Sequence, residues 1–333
     1  MSRLHVCNAF FESELEGTGE RDLESWIRSH KIFLQLQFLP LLYAAPEDRI
    51  LVTDLPSEGP LDPRLCLIRD LPCALPIEDW GPSLAVAAFA KKHRLPYKIP
   101  DWELVKKINS KIFSFNESPQ LPGAKLLHSE EEIVEWIETT PGPKVLKTPF
   151  GTAGRGHIHF RELQNLNVKQ QYTTPKTMRL RGPQDVNVKR LYICPLIGEP
   201  WVERVLDFST QWRDKQLIGV TLFENTPGGS YRGTVKGCVD PSILDEHLNV
   251  ARPLIEKIHK MGYSGHLGVD AFVYRWGGKE QLHPVVEINA RKTMSWVFLQ
   301  NDKNRLFYIS SMKGMLPTRI KNTYFAKNIV EEL

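Results

Sequence analysis

The stretch Lys144 to His159, KVLKTPFGTAGRGHIH, constrains the chain more than any other. Val145 and Leu146 lead an apolar run into Lys147. Gly151, Gly154 and Gly156 then punctuate a turn carrying Thr152 and Arg155, after which Ile158 and Phe160 resume an alternating pattern. The expected local structure is a buried strand, a flexible glycine turn and a second strand. Glycines let backbone N–H groups come close to an anion. The turn lacks the G-x-x-x-x-G-K-[ST] arrangement of a P-loop, and it does not run strand, G-x-G-x-x-G, helix as a dinucleotide fingerprint does. What remains is a glycine-rich cover between two strands, suited to lying over phosphates. For this segment alone an ordinary hairpin with a solvated lysine accounts for the pattern equally well.

The neighbouring segments narrow the choice. Before the hairpin, Ala124 to Leu127 is a β-type run. Ser129 with Glu132 three residues later forms a capping box, which opens a helix with Ile133, Trp136 and Ile137 on its apolar face and Pro141-Gly142-Pro143 at its end. Further upstream, Leu4 to Phe11 reads as a strand, Glu20 to Ser29 as a helix, and Ile50 to Thr53 and Leu65 to Ile68 as short strands. Pro72, Pro76 and Pro82 break that pattern. Ser83 then caps an alanine-rich helix to Lys92, and Asp101 caps another to about Ser110. Alternation of strands and helices predicts an α/β unit.

After the hairpin, Leu163 to Val188 is polar and aperiodic, a solvated loop. Leu191 to Ile197, Trp201 to Leu206 and Leu217 to Phe223 are β-type runs, so the second half reads as a largely antiparallel sheet. A helix follows from Pro241 to Met261, with Leu248, Leu254, Ile255 and Ile258 as core. Last comes a hairpin, Gly265 to Tyr274 returning as Pro284 to Arg291 through Gly277-Gly278.

Composition excludes several classes. With 333 residues and 41% apolar content the chain buries a substantial core in two or three units. A balance of 43 basic against 39 acidic residues, net +4, is too even to argue for a nucleic-acid or membrane surface, and neither partner is expected; a polyanionic small ligand stays compatible. Cys7, Cys66, Cys73, Cys194 and Cys238 form no CxxC or Cys/His spacing, so neither a disulfide frame nor a zinc site is expected. The most apolar early run, Ile32 to Ala45, contains Gln35, Gln37 and Pro40 and falls short of the ~20 residues that cross a bilayer. A cytoplasmic soluble protein is expected.

Polar residues within the last hairpin carry the chemistry. Side chains alternate along a strand, so Glu287, Asn289 and Arg291 share one face while Val286, Ile288 and Ala290 point into a core. Asp270 joins them if the register allows. Mg2+ held by one or two carboxylates, an amide oxygen and nucleotide phosphates uses this set of hard oxygen ligands. Ordinary sheet-surface acids paired with Arg291 and Lys292 fit E-x-N alone better, but an acid closing the apolar run Leu267 to Val269 is costly to bury without a cation. His157, His159 and His266 match no zinc spacing and read as structural.

Taken in order, these features resemble the ATP-grasp superfamily. The match comprises the Asn-Ser-Lys of Lys111, Lys147 before the glycine hairpin, the acidic Trp201-Val202-Glu203-Arg204-Val205-Leu206, Asp270, and Glu287-x-Asn289-x-Arg291, spanning roughly residues 100 to 300. The order is more specific than any part of it. Ala290 stands where family members commonly have proline.

The resemblance implies a pre-ATP-grasp α/β domain over 1–110. It also implies a small lobe with a glycine-rich lid over 111–190, and a large lobe with antiparallel sheets, metal site and C-terminal cap over 191–333. Lys111 and Lys147 would contact ATP phosphates beneath the lid formed by Gly151, Thr152, Gly154, Arg155 and Gly156. Glu203 with the backbone of Arg204 and Val205 would hold the adenine edge, with Asp207 facing the ribose. Glu199 is the alternative acid for that hinge, and on that register Glu203 is a surface acid. Asp270, Glu287 and Asn289 would bind magnesium, and Arg291 would steady the transferred phosphoryl group. By its position in Phe223 to Gly237, Arg232 would line the acceptor site. The implied activity is ligation of small-molecule carboxylate and amine substrates through an acyl phosphate. A nucleotide-binding module without ligation and a small-molecule kinase are the competing classes.

Overall fold

The computed structural model describes residues 2–17, 22–57, 61–72, 74–151, 157–160, 195–226, 231–235 and 237–300, with the backbone of 307–308, 319–320 and 323–324. Thr152, Gly154, Arg155 and Gly156 of the expected lid, and the polar segment 163–188, lie outside the described residues.

The N-terminal sheet is parallel. Its strands are β1 (Leu4–Val6), β2 (Arg49–Val52), β3 (Leu65–Leu67) and β4 (Ile77–Asp79), in the order β3-β2-β1-β4. The order therefore turns at β1, with β4 alone on one side. Helices α1 (Phe11–Leu15), α2 (Leu23–Arg28), α3 (Lys31–Leu36) and α4 (Leu84–His93) accompany it. Phe10, Trp26, Leu51 and Val86 are among the residues closing one core against this sheet. Ser83 caps α4 as expected, its hydroxyl accepting from Val86 N at 3.3 Å. The first strand is shorter than expected, because Phe11 already opens α1.

Two antiparallel sheets follow. The smaller holds β5 (Lys125–Leu127), β6 (Lys144–Lys147), β7 (Ile158–Phe160) and β8 (Leu196–Pro200), in the order β5-β8-β6-β7. The larger holds β9 (Glu203–Arg213), β10 (Gln216–Asn225), β11 (Tyr231–Val235), β12 (His266–Trp276), β13 (Lys279–Asn289) and β14 (Phe307–Tyr308), in the order β13-β12-β9-β10-β11-β14. This is the fold class that the ATP-grasp resemblance implies: an α/β domain with a parallel sheet, then two antiparallel sheets. One strand moves between units. Expected with the large lobe, β8 instead sits between β5 and β6 of the small sheet, so the chain passes from one sheet to the other at Trp201-Val202.

Helices α5 (Trp102–Asn109) and α6 (Lys111–Glu117) pack with α8 (Pro241–Lys260) on β12 and β13, around Val105, Ile108, Leu254, Ile258, Val269 and Ile288. Helix α7 (Glu130–Thr139) covers the small sheet, and α9 (Met294–Leu299) joins the large lobe to the N-terminal core beside Trp80. The expected capping box is present: Ser129 Oγ accepts from Glu132 N at 3.3 Å, and Glu132 Oε2 accepts from His128 N at 2.7 Å. Among the described residues no helix is long and apolar enough to cross a membrane.

Contact between α7 and β8 is close enough to require glycine. A Cβ on Gly198 would lie 2.8 Å from the Trp136 ring, which Ile133 and Ile137 hold in the same core. Gly198→Ala is expected to destabilise the protein by about 1–3 kcal/mol through overpacking. Urea unfolding should show a lower midpoint with an unchanged slope; a wild-type midpoint would contradict this packing.

Candidate active site

Both expected lysines end up between the two antiparallel sheets, for different local reasons. Asp101 and Ser110 cap successive helices, Ser110 Oγ accepting from Ile112 N at 3.3 Å, so Lys111 opens α6 rather than closing α5. Its backbone N–H donates to Pro149 O at 2.8 Å, and its Nζ donates to Gly151 O at 3.0 Å. Lys111 is thereby tied to both ends of the turn that starts the glycine loop. Lys147 is the last residue of β6, 4% exposed, and its Nζ donates to Glu199 Oε2 on β8 at 2.5 Å.

The acids come from the edge of the large sheet. Asp270 on β12 stands directly opposite Glu287 on β13, and Glu287 Oε2 is 2.8 Å from Lys111 Nζ. Ser209 Oγ donates to Asp270 Oδ1 at 2.6 Å and Asn289 Nδ2 to Asp270 Oδ2 at 3.1 Å. Arg291 Nη2 in turn donates to Asn289 Oδ1 at 2.9 Å. On the far side of Ser209, Gln211 Nε2 donates to Ser209 Oγ at 2.7 Å and accepts at Oε1 from Thr293 Oγ1 at 2.7 Å. A directed chain of hydrogen bonds therefore fixes both oxygens of Asp270 as acceptors. The expected common face of Glu287, Asn289 and Arg291 is present. Val286 is a correction: the ladder shifts register between Asp270 and Phe272, so Val285 joins Ile288 and Ala290 in the main core, while Val286 packs near Leu121 and Phe272.

Electrostatics follow from that crowding. Burial and the nearby Glu287 charge push the Asp270 carboxyl up to about 7. Burial alone would raise Glu287 as well, but the Lys111 ammonium overrides it and holds that carboxyl at about 2. Lys111 is raised in return, the Glu287 charge outweighing burial. Burial pushes Lys147 below its ordinary value with Glu199 pulling back, and the Lys147 ammonium holds Glu199 below the usual carboxylate range against burial. Each lysine is thus parked on an acid. An anionic ligand with a dication would redistribute those charges without leaving any of them unpaired.

Two opposed carboxylates and a neighbouring amide oxygen are a hard-oxygen donor set that fits Mg2+, which takes one or two carboxylates and leaves the rest of its shell to phosphates and water. Among the described residues no three His, Cys, Asp or Glu side chains gather to hold a metal.

The hinge residues are placed differently. Glu203 lies on the surface at the start of β9 and pairs with the exposed Arg275 at 2.5 Å, and Val205 is 41% exposed. Arg204 and Asp207 pair with each other at 2.8 Å, with the guanidinium 4.0 Å over the Phe272 ring. The buried acid beside Lys147 is Glu199, because β8 runs next to β6 and presents it there. Arg232 is exposed on β11, three strands from Asp270, roughly 14 Å at ordinary strand spacing. Within the described residues it does not reach the acids.

His157, which reads as structural in the sequence, lies beside Lys147. It follows the glycine loop immediately before β7, whose pairing of Leu146 with Ile158 sets His157 opposite Lys147. Burial and the Lys147 charge depress its imidazole to about 3, and its Nδ1 is buried with no partner among the described residues. The same holds for Nδ1 of His283, opposite Phe272 on β13. Neither carries a spacing signal, since each meets the site only through strand pairing.

No family model matches the sequence, and no curated protein matches it. Comparison with solved structures finds similarity to N5-carboxyaminoimidazole synthetase from Staphylococcus aureus complexed with ADP, at 10% identity and a TM-score of 0.49, over 88% of this chain and 71% of that one. D-alanine–D-alanine ligase from Bacillus anthracis is similar over 87% of each chain, at 12% identity and a TM-score of 0.46. The chain is also similar, at 15% identity and a TM-score of 0.45, to the biotin carboxylase domain of Hydrogenobacter thermophilus 2-oxoglutarate carboxylase complexed with Mg-ADP and bicarbonate, over 64% of this chain and 49% of that one.

Proposed function

We propose that this chain is an ATP- and Mg2+-dependent ligase of ATP-grasp type, which activates a small-molecule carboxylate as an acyl phosphate for attack by an amine. One observation carries the reading: Lys111 Nζ lies 2.8 Å from Glu287 Oε2. It joins the loop expected to cover phosphates to the acids expected to hold the metal. Phosphoryl transfer requires positioning and charge neutralisation rather than a protein nucleophile. Two lysines, from α6 and from the small sheet, together with an arginine and two carboxylates at the edge of the large sheet supply those.

In this reading Lys111 and Lys147 bind the phosphates, and Gly151 begins the cover over them. The base lies against the segment linking β8 to β9, with Glu199 in place of Glu203 beside it. Asp270, Glu287 and Asn289 would hold the metal, which when bound neutralises phosphate charge and aligns the terminal phosphoryl. Ser209 and Asn289 keep Asp270 oriented, and Arg291 faces the group in transfer. A substrate carboxylate oxygen attacks the γ-phosphorus and ADP departs. The amine then attacks the acyl carbon, and inorganic phosphate leaves with the bonding pair. A reducing compartment such as the cytoplasm suits the free thiols of Cys7, Cys66 and Cys238.

Incubation with Mg·ATP and a panel of carboxylates and amines tests the reading. ADP release is expected only when one member of each class is present. Release with a single acceptor would instead make the protein a kinase, and thermal stabilisation without release a binding module.

A further inference from the structure

Arg291 leaves β13 held on three sides. Its Nε donates to Glu12 Oε1 at 2.6 Å, its Nη2 to Asn289 Oδ1 at 2.9 Å and its Nη1 to Lys292 O at 3.2 Å. A guanidinium has five N–H groups. With three engaged among the described residues, two remain, one on each terminal nitrogen, and these can meet an anion as a fork. Asn289 and Lys292 are its neighbours in sequence. Glu12 comes from α1, at the opposite end of the chain.

The Glu12 contact is not a loose surface pair. Side-chain exposure is 13% for Arg291 and 16% for Glu12. The helix that presents Glu12 is itself anchored, because Glu14 accepts from Ser83 Oγ at 2.5 Å and from Ala85 N at 2.9 Å and so binds the start of α4. The turn after β4 closes on the same place: a Cβ on Gly81 would lie 3.0 Å from both Arg291 Cβ and the Phe11 ring. Asn8 holds that turn, accepting at Oδ1 from Trp80 N at 3.0 Å and donating from Nδ2 to Gly81 O at 2.8 Å. Next to Arg291, Lys292 donates from its backbone N to Trp80 O at 2.8 Å and from Nζ to Glu78 at 2.8 Å. The exit of β13 is therefore seated beyond the carboxyl ends of β1 and β4, where the strand order of the parallel sheet turns. Crevices at such points receive ligands in open α/β sheets. Here the crevice receives a segment of the large lobe.

We infer that Glu12 is a positioning residue, by which the N-terminal domain fixes the Arg291 guanidinium so that its two remaining N–H groups face the terminal phosphoryl of a bound nucleoside triphosphate. The inference rests on the nucleotide reading above. An unheld arginine must be ordered when the ligand arrives, and ordering it beforehand removes that cost from binding. The N-terminal parallel domain then completes the phosphoryl site rather than merely preceding it.

Calorimetry on the full chain, with Mg·ATP and Mg·ADP as probes and no acceptor present, separates the possibilities. Glu12→Ala is expected to weaken Mg·ATP binding about tenfold and to leave Mg·ADP binding within about twofold of wild type. Glu12→Gln, which keeps the acceptor oxygen, should restore most of the loss and covers the case in which the alanine variant folds poorly. Arg291→Ala should show the same selective loss, and the double variant no further loss, because the two residues act as one unit. Equal weakening for both nucleotides, no change, or tighter Mg·ATP binding in Glu12→Ala would overturn the inference while leaving the nucleotide reading standing. A wild-type chain that binds neither nucleotide overturns both.

Discussion

Glu287→Gln is expected to lower ATP turnover by at least about 10³-fold while the chain remains folded, on the scale of losing a charge that stabilises a transition state. Glutamine keeps the volume and an oxygen that accepts from Lys111, so the local packing survives. What it removes is the negative charge that holds Lys111 2.8 Å away and that faces Asp270 across the ladder. Without it the donor set for the metal falls to one carboxylate and one amide. Lys111 is also left as a buried cation whose direct acceptors, Gly151 O and the glutamine oxygen, are both neutral. ADP release measured beside a circular dichroism melt checks the result. Turnover close to wild type would place the metal elsewhere.

The largest stability effect is expected at Lys292, which is 2% exposed. Its Nζ meets Glu78 Oε1 at 2.8 Å and donates to the Asp79 carbonyl, and it lies 5.5 Å over the Trp296 ring. Breaking one side of such a buried pair costs about 3–5 kcal/mol, because the remaining charge stays desolvated. Lys292→Met should lose stability in that range at pH 7. Glu78 also receives Arg3 and has His266 at 3.7 Å, so the lower end is the better expectation.

The pH dependence follows from the sign of the Glu78 shift. Burial would raise its carboxyl, but His266 and Lys292 together draw it well below its ordinary value of 4.5. A depressed carboxylate stabilises the fold above its unfolded value, and that contribution is lost as the pH falls through the region beneath it. The gap between Lys292→Met and wild type should therefore narrow below about pH 4.5. A gap that stays constant down to pH 3 would remove the ion pair as the cause. Lys292→Met combined with Glu78→Gln should recover part of the loss, since the desolvated carboxylate is gone and the Arg3 side chain it leaves behind is 42% exposed to water.

Legibility differed between residues for identifiable reasons. Lys147, Asp270, Glu287 and Asn289 were readable because each interrupts or ends an apolar strand, where an ionisable group is costly and needs an explanation. Caps at Ser83, Asp101 and Ser129 were readable because a side-chain oxygen acts on backbone N–H groups two or three residues away. Strand β4 was hidden: Ile77, Glu78 and Asp79 are three half-buried residues among prolines, with no alternation to detect. The surroundings of the two candidate hinge acids were hidden for a related reason. Glu203 and Glu199 both adjoin apolar runs, and only the pairing of β8 with β6 puts Glu199 against Lys147.

By itself the sequence determined the α/β class, the order of the elements, the lysine that ends the strand before the glycine loop and the oxygen-bearing face of β13, because these depend on periodicity and on neighbours a few residues apart. Only the tertiary structure decided which distant charges meet: Lys111 with Glu287, Lys147 with Glu199, Glu12 with Arg291 and Glu78 with Lys292. Those partnerships are set by strand register and by how separate sheets pack. A one-residue slip of a strand would turn its side chains to the opposite face, and no local pattern along the chain records that choice.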